Sequence, residues 1–112
     1  MCIILDINIL GSVFNSDSAN HEEFKPVFDW IWDGRGKIVY GGTKYKEEVS
    51  TSKYLDLFGE FRKVGKAVLI DDQSVDQEVE RVTRLIVHRD FDDQHLVGLL
   101  LASGCILICS LD

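Results

Sequence analysis

Disulfide frameworks, membrane spans and a basic surface are all missing from this chain. Its three cysteines are odd in number, and Cys2, Cys105 and Cys109 fall in apolar runs that read as buried strands. Packed, reduced thiols in a cytoplasmic protein are therefore expected. Cys105 and Cys109 are better explained as small apolar fillers than as a metal pair. No apolar run approaches the roughly 20 residues of a bilayer span, so no membrane partner is expected. The amino terminus also lacks the basic region and small-residue cleavage site of a signal peptide. Positive charge is scarce: 12 Lys and Arg stand against 19 Asp and Glu, a formal net charge of −7. That argues against nonspecific nucleic-acid binding through a broad basic face. It leaves room for a nucleic-acid substrate, because carboxylates gathered for cations carry part of the negative count. No internal repeat, linker or low-complexity segment interrupts the chain.

What is present is a core. With 112 residues, 46% of them hydrophobic and 28% charged, the chain has the make-up of one globular domain, residues 1–112. Its organising stretch is Cys2-Ile3-Ile4-Leu5-Asp6. An apolar run closed by a single carboxylate reads as a buried parallel strand that delivers its acid to a sheet edge. Open α/β sheets bind their ligands outside the carboxyl ends of the strands. A buried carboxylate is costly unless a cation or donor answers it, so Asp6 asks for a partner. Glu48, Asp93 and Asp112 are further acids at comparable strand or helix ends, and together the four read as a metal site.

Along the chain, Ile9, Leu10, Val13 and Phe14 recur at helical spacing, and 15–20 is a polar loop. The next helix carries Val27, Phe28, Ile31 and Trp32 inward, with the single proline, Pro26, expected in its first turn and Gly34 at its end. Lys37-Ile38-Val39-Tyr40 is a strand closed by Gly41-Gly42. A helix over 43–50 buries Tyr45 and Val49. Glu48 lies on the flank of Tyr45 while Glu47 points away, which selects Glu48 for an inward role. A further helix from near Ser52 carries Tyr54, Leu57, Phe58, Phe61 and Val64, and stops at Gly65. Ala67 to Ile70 is the third strand. Ser74 and Gln77 suit a capping box for a helix with the stripe Val75, Val79, Val82 and Ile86. Asp92 is expected to cap the last helix, with Phe91 and Leu96 as its hydrophobic staple, leaving Asp93 in the first turn. That helix is apolar nearly all round and ends at Gly104. His95 is expected at its surface and not as a catalytic base. Cys105 to Ile108 is the fourth strand, and Ser110-Leu111-Asp112 closes the chain. The alternation predicts an α/β fold, α/β/α in three layers, with a central parallel sheet and right-handed crossovers.

The ordered set resembles a PIN domain, the metal-dependent ribonuclease fold found among other places in the toxins of bacterial toxin–antitoxin pairs. The residues that carry the likeness are Asp6-Ile7-Asn8 after the first strand, Glu48-Val49 on a helix, Asp93-Gln94-His95-Leu96 through Ser103-Gly104, and Ser110-Leu111-Asp112 after the last strand. The chain departs from the family at its end, where PIN domains usually continue into a further helix and strand.

The resemblance implies hydrolysis of RNA phosphodiesters, leaving a 5′-phosphate and a 3′-hydroxyl, with Mg²⁺ or Mn²⁺ as cofactor. It implies Asp6 and Asp93 as principal metal ligands, Asp112 and Glu48 as further ligands or through water, and Asn8 and Ser110 as donors that orient the carboxylates. It also implies an antitoxin or other protein partner. Aromatic area at Phe24, Phe28, Trp30 and Trp32 exceeds what one helical stripe buries, which suggests a homodimer or a protein partner. Each acid alone has a plainer explanation: Asp6 as a turn former or helix cap, Glu48 as a solvated helix residue, Asp93 as a dipole-friendly acid. Lys44, Lys46, Arg35 and Lys53 are placed to grip phosphates, though exposed charges usually serve a solvated face. The alternative to the enzyme is a PIN-like module without catalysis that binds protein or RNA.

Overall fold

The structure, a computed structural model, describes residues 1–86 and 93–110. Four strands, Cys2–Leu5 (β1), Lys37–Gly41 (β2), Ala67–Ile70 (β3) and Ile108–Cys109 (β4), form an all-parallel sheet in the order β3-β2-β1-β4. The helices among the described residues are Leu10–Phe14 (α1), His21–Trp32 (α2), Thr43–Ser50 (α3), Leu55–Lys63 (α4), Asp72–Leu85 (α5) and Gln94–Ser103 (α6), with a 3₁₀ turn at Ile7–Ile9. The expected α/β class with a central parallel sheet is what the chain adopts.

Chain direction explains the layers. From β1 to β2 to β3 the sheet grows one way, and the return to β4 passes back over β1. Right-handed crossovers then put the first helices on one face and α5 with α6 on the other. On the first face the rings of Phe14, Phe28 and Phe61 join α1, α2 and α4, with centroids 5.7–6.2 Å apart, and Tyr40 of β2 meets Phe58 of α4. On the second, α6 lies so close to α5 that a Cβ on Gly98 would meet Val79 Cγ2 at 2.4 Å. β1 is covered from both sides, so Ile4 and Leu5 are fully buried. That is why its sequence is a continuous apolar run and not an alternation. The chain leaves β1 for β2 in one direction and arrives at β4 on the other side. The carboxyl ends of β1 and β4 therefore flank the switch point, where open sheets bind ligands. No described helix is long and apolar enough to cross a membrane.

Several boundaries differ from the sequence reading. α2 begins at His21, so Pro26 sits inside the helix rather than in its first turn. The early start is held by Ser12 and Ser18, whose hydroxyls donate to Asn20 Oδ1 at 2.6 and 2.8 Å. α5 is capped not by Ser74 but by Asp71, whose carboxylate accepts the Ser74 N–H at 3.0 Å. An aspartate three residues ahead reaches that amide directly and leaves Ser74 as the capped residue. Val64 and Ile86 end their helices and are exposed, so neither completes its stripe. The fourth strand is Ile108–Cys109, later than expected, because Cys105 to Leu107 carry the chain from Gly104 to the edge of β1. There Ile4 N–H donates to Leu107 O at 2.9 Å. α6 starts at Gln94, so Asp93 and not Asp92 stands at its N-cap position. Asp92, Phe91 and the terminal Asp112 lie outside the described residues.

Candidate metal centre

Asp6 stands one residue past β1. Its N–H donates to Cys109 O at 3.0 Å, and its carbonyl accepts from Ile9 N–H at 3.0 Å, which starts the 3₁₀ turn. The backbone thus bends sharply at the switch point. Asp6 stands at the N-cap position of that turn, but its carboxylate makes no capping bond to it, so capping does not account for the side chain. Instead it lies buried and accepts the Ser110 Oγ–H at 3.1 Å, a bond that spans the carboxyl ends of β1 and β4. Ser110, expected as a donor to the carboxylates, makes this bond to Asp6. Asn8 does not: it is exposed in the 3₁₀ turn and makes no hydrogen bond to Asp6 among the described residues.

Glu48 is brought in by α3. Gly41 and Gly42, with φ of 155° and 87°, turn β2 into that helix beneath α5, and a Cβ on Gly42 would strike Val75 Cγ1 at 2.5 Å. Only glycine serves such a turn at such a distance. The helix is then clamped. Asp76 accepts from Thr43 N–H at 2.9 Å and its hydroxyl at 2.6 Å, and Lys46 pairs with Asp72 at 2.8 Å. Tyr45 is buried and donates its phenolic hydrogen to Leu5 O at 2.6 Å, tying α3 to the end of β1. Burial first, then the charges of Asp6 and Glu48, push the Tyr45 phenol far above its ordinary pKa, so it remains a donor. Glu48 itself is half-buried while Glu47 is exposed, as the helical phase requires.

The residue that sequence reasoning misplaced is His95. It is not at the surface: it is 5% exposed, in the first turn of α6, with Nε2 3.4 Å from Glu48 Oε2. Neither ring nitrogen has a hydrogen-bond partner among the described residues. One signal was available. His95 precedes Leu99 by one helical turn, and Leu99 is fully buried, so a helix read as apolar all round should have taken the histidine inside with it. One donor atom each from Asp6, Glu48 and His95 lie within 4.8 Å of one another. With metal–oxygen distances of about 2.0–2.1 Å for Mg²⁺, three donor atoms this close could be drawn onto one ion by a small inward movement of their side chains. The donor set also suits a cation: two carboxylates that repel each other and a buried imidazole that makes no hydrogen bond among the described residues.

Asp93 is close in the chain to His95 but is not one of the three converging groups. Its carbonyl accepts from Leu96 and Val97 N–H at 3.0 and 3.2 Å, and its side chain does not cap α6. Of the cations considered for phosphate contact, Lys46 is committed to Asp72 and Lys53 lies 5.5 Å over the Tyr54 ring. Lys44 and Arg35 are exposed. A cavity of about 390 Å³ lined by Trp32, Leu57, Phe61 and Val64 shares no residue with the acidic cluster. Comparison of the chain with family models, curated proteins and solved structures finds no match.

Proposed function

We propose that this protein is a PIN-like, metal-dependent endoribonuclease that works at the carboxyl edge of its sheet with Mg²⁺ or Mn²⁺. The observation that carries the reading is Asp6: a buried carboxylate at the switch point that caps nothing, is aimed by Ser110 and faces Glu48. A divalent ion bound there supplies a water of lowered pKa and stabilises the leaving oxygen of an in-line phosphoryl displacement. Asp6 provides the charge that holds such an ion, and the Ser110 hydroxyl keeps that carboxylate in one orientation. Glu48, with its side chain 35% exposed, is the member of the set that reaches solvent and can hold a water. Tyr45 fixes the strand end on which Asp6 stands, and its proton stays on the phenol. Asp93 at the head of α6 and the terminal Asp112 are the remaining acids of the reading.

The three thiols, free in this structure, suit a reducing cytoplasmic compartment. A protein partner, an antitoxin or a second copy, would meet α2, where Trp32 is 52% exposed and stacks on Phe28 at 5.7 Å.

The test is cleavage of single-stranded RNA by the purified chain. Mg²⁺ or Mn²⁺ should switch it on and a chelator should stop it. Asp6→Asn keeps the shape and removes a ligand charge, so the variant should fold and lose most of the activity. Equal cleavage by Asp6→Asn would assign the activity to another site. A chain that neither cleaves RNA nor is stabilised by metal is the binding module instead.

A further inference from the structure

His95 is the one described group at this edge whose position no part of the fold explains. It is 5% exposed, and among the described residues both ring nitrogens lack a hydrogen-bond partner. Buried polar atoms are nearly always bonded, and each exception calls for a cause. Glu48 comes near without supplying one: its Oε2 stands 3.4 Å from Nε2, a close approach that makes no hydrogen bond. The neighbours of the imidazole are two acids whose donor atoms fall with its own inside 4.8 Å. An imidazole among carboxylates changes what such a cluster selects. Oxygen donors suit Mg²⁺, Ca²⁺ and Mn²⁺, whereas an imidazole nitrogen adds affinity for transition metals, least for Mn²⁺ and more for Fe²⁺, Co²⁺, Ni²⁺ and Zn²⁺, and offers Mg²⁺ little.

We propose that His95 is a nitrogen ligand, and that Asp6, Glu48 and His95 form a mixed nitrogen–oxygen site which takes Mn²⁺ or a later transition metal in preference to Mg²⁺. This rests on the metal-binding part of the reading above and is independent of RNA being the substrate. The arrangement also explains the orphaned nitrogens: a metal ion answers one of them together with the facing carboxylates, where no protein donor could answer all three groups. His95 is held in place from behind by α6, which is locked to α5 at Gly98 and Val79, so the ring has little freedom to turn away.

The test uses the full chain and the metals alone. Electron spin-echo envelope modulation of bound Mn²⁺ should show nitrogen coupling in the wild type. Thermal unfolding titrated with each metal should show stabilisation by Mn²⁺ at lower concentration than by Mg²⁺. His95→Phe keeps the volume and removes the nitrogen. It should lose the coupling and weaken Mn²⁺ binding by about tenfold to a hundredfold, as removal of a site's supporting group commonly does. His95→Asp returns the cluster to oxygen donors and should move its preference toward Mg²⁺. A wild type without nitrogen coupling overturns the proposal whether or not either variant folds. So does coupling that survives His95→Phe, since it would come from His21 or His88. Nitrogen-coupled Mn²⁺ on a chain that cleaves no RNA would sink the nuclease reading and leave this one standing. Asp6-dependent cleavage without the coupling would do the reverse.

Discussion

Two groups of acids stand at the carboxyl edge of this sheet, and they differ in who answers them. After β3 come Asp71, Asp72 and Asp76. Asp71 takes the Ser74 N–H and hydroxyl, Asp72 takes Lys46 and the Gly42 N–H, and Asp76 takes the Thr43 N–H and hydroxyl. Each is used by the protein itself, to cap α5 or to bind α3 to it. After β1 comes Asp6, which has the Ser110 hydroxyl, and across from it Glu48, whose described contact is His95 at 3.4 Å. Burial sets Asp6 apart, since Asp71 and Asp76 are exposed and Asp72 half-buried. Partners complete the distinction: acids matched to donors on α3 and α5 build the fold, whereas Asp6 and Glu48 face each other and an imidazole that makes no hydrogen bond among the described residues.

Neutralising one acid from each group should separate them most clearly. Asp6→Asn should cut metal-dependent RNA cleavage by at least about a hundredfold, because a lost ligand charge removes several kcal/mol of transition-state stabilisation. Asp72→Asn should leave cleavage within a few fold of wild type. A gel assay on both variants, with circular dichroism to confirm folding, decides it, and equal losses would erase the distinction between the groups. Metal should separate the two groups in stability as well. At a free Mn²⁺ concentration one hundred times its Kd, the wild type and Asp72→Asn should each gain about 2.7 kcal/mol, and Asp6→Asn almost nothing under the same conditions. Denaturant titration with and without Mn²⁺ measures this.

Smaller effects test the structural group. Asp71→Ala removes the cap of α5 and should cost about 1 kcal/mol in urea unfolding with Mn²⁺ affinity unchanged, whereas Asp71→Asn should cost little. The smallest effect is a pH dependence. The Lys46 ammonium hydrogen-bonded to Asp72, and then the Gly42 N–H, hold its carboxyl below the ordinary aspartate range. Between the folded and unfolded pKa values the unfolded chain binds the extra proton. The contribution to stability is therefore complete above an unfolded pKa of about 3.9 and fades as pH falls through the folded value. Both partners are some 40% exposed (42% and 41%), so the contribution is under about 1 kcal/mol. Asp72→Asn should flatten the acid limb of stability against pH by that amount. An unchanged acid limb would mean that the pair forms without stabilising.

Much of the fold lies in local pattern. The apolar runs at β1, β2 and β3, the phase of Tyr45, Glu48 and Val49, and the glycine that ends α6 with φ of 74° are all set by periodicity and by residues with a single conformational use. A run such as Cys2 to Leu5 is buried wherever it goes, and Asp6 at its end must emerge at a strand terminus. Sequence alone therefore determined the α/β class and pointed to Asp6 and Glu48. Strand order, and with it the meeting of β1 with β4, is a long-range matter that no local pattern encodes. It is what places Ser110 against Asp6, 104 residues away in the chain. Boundaries moved where two residues competed for one role, as when Asp71 took the cap assigned to Ser74. His95 is the clearest case of a decision left to tertiary structure. Its phase with Leu99 puts it on a buried side of α6, but only the packing of α6 against α3 decided that it faces Glu48. Burial is a property of what lies opposite a side chain, and for His95 what lies opposite comes from residues nearly fifty positions earlier in the chain.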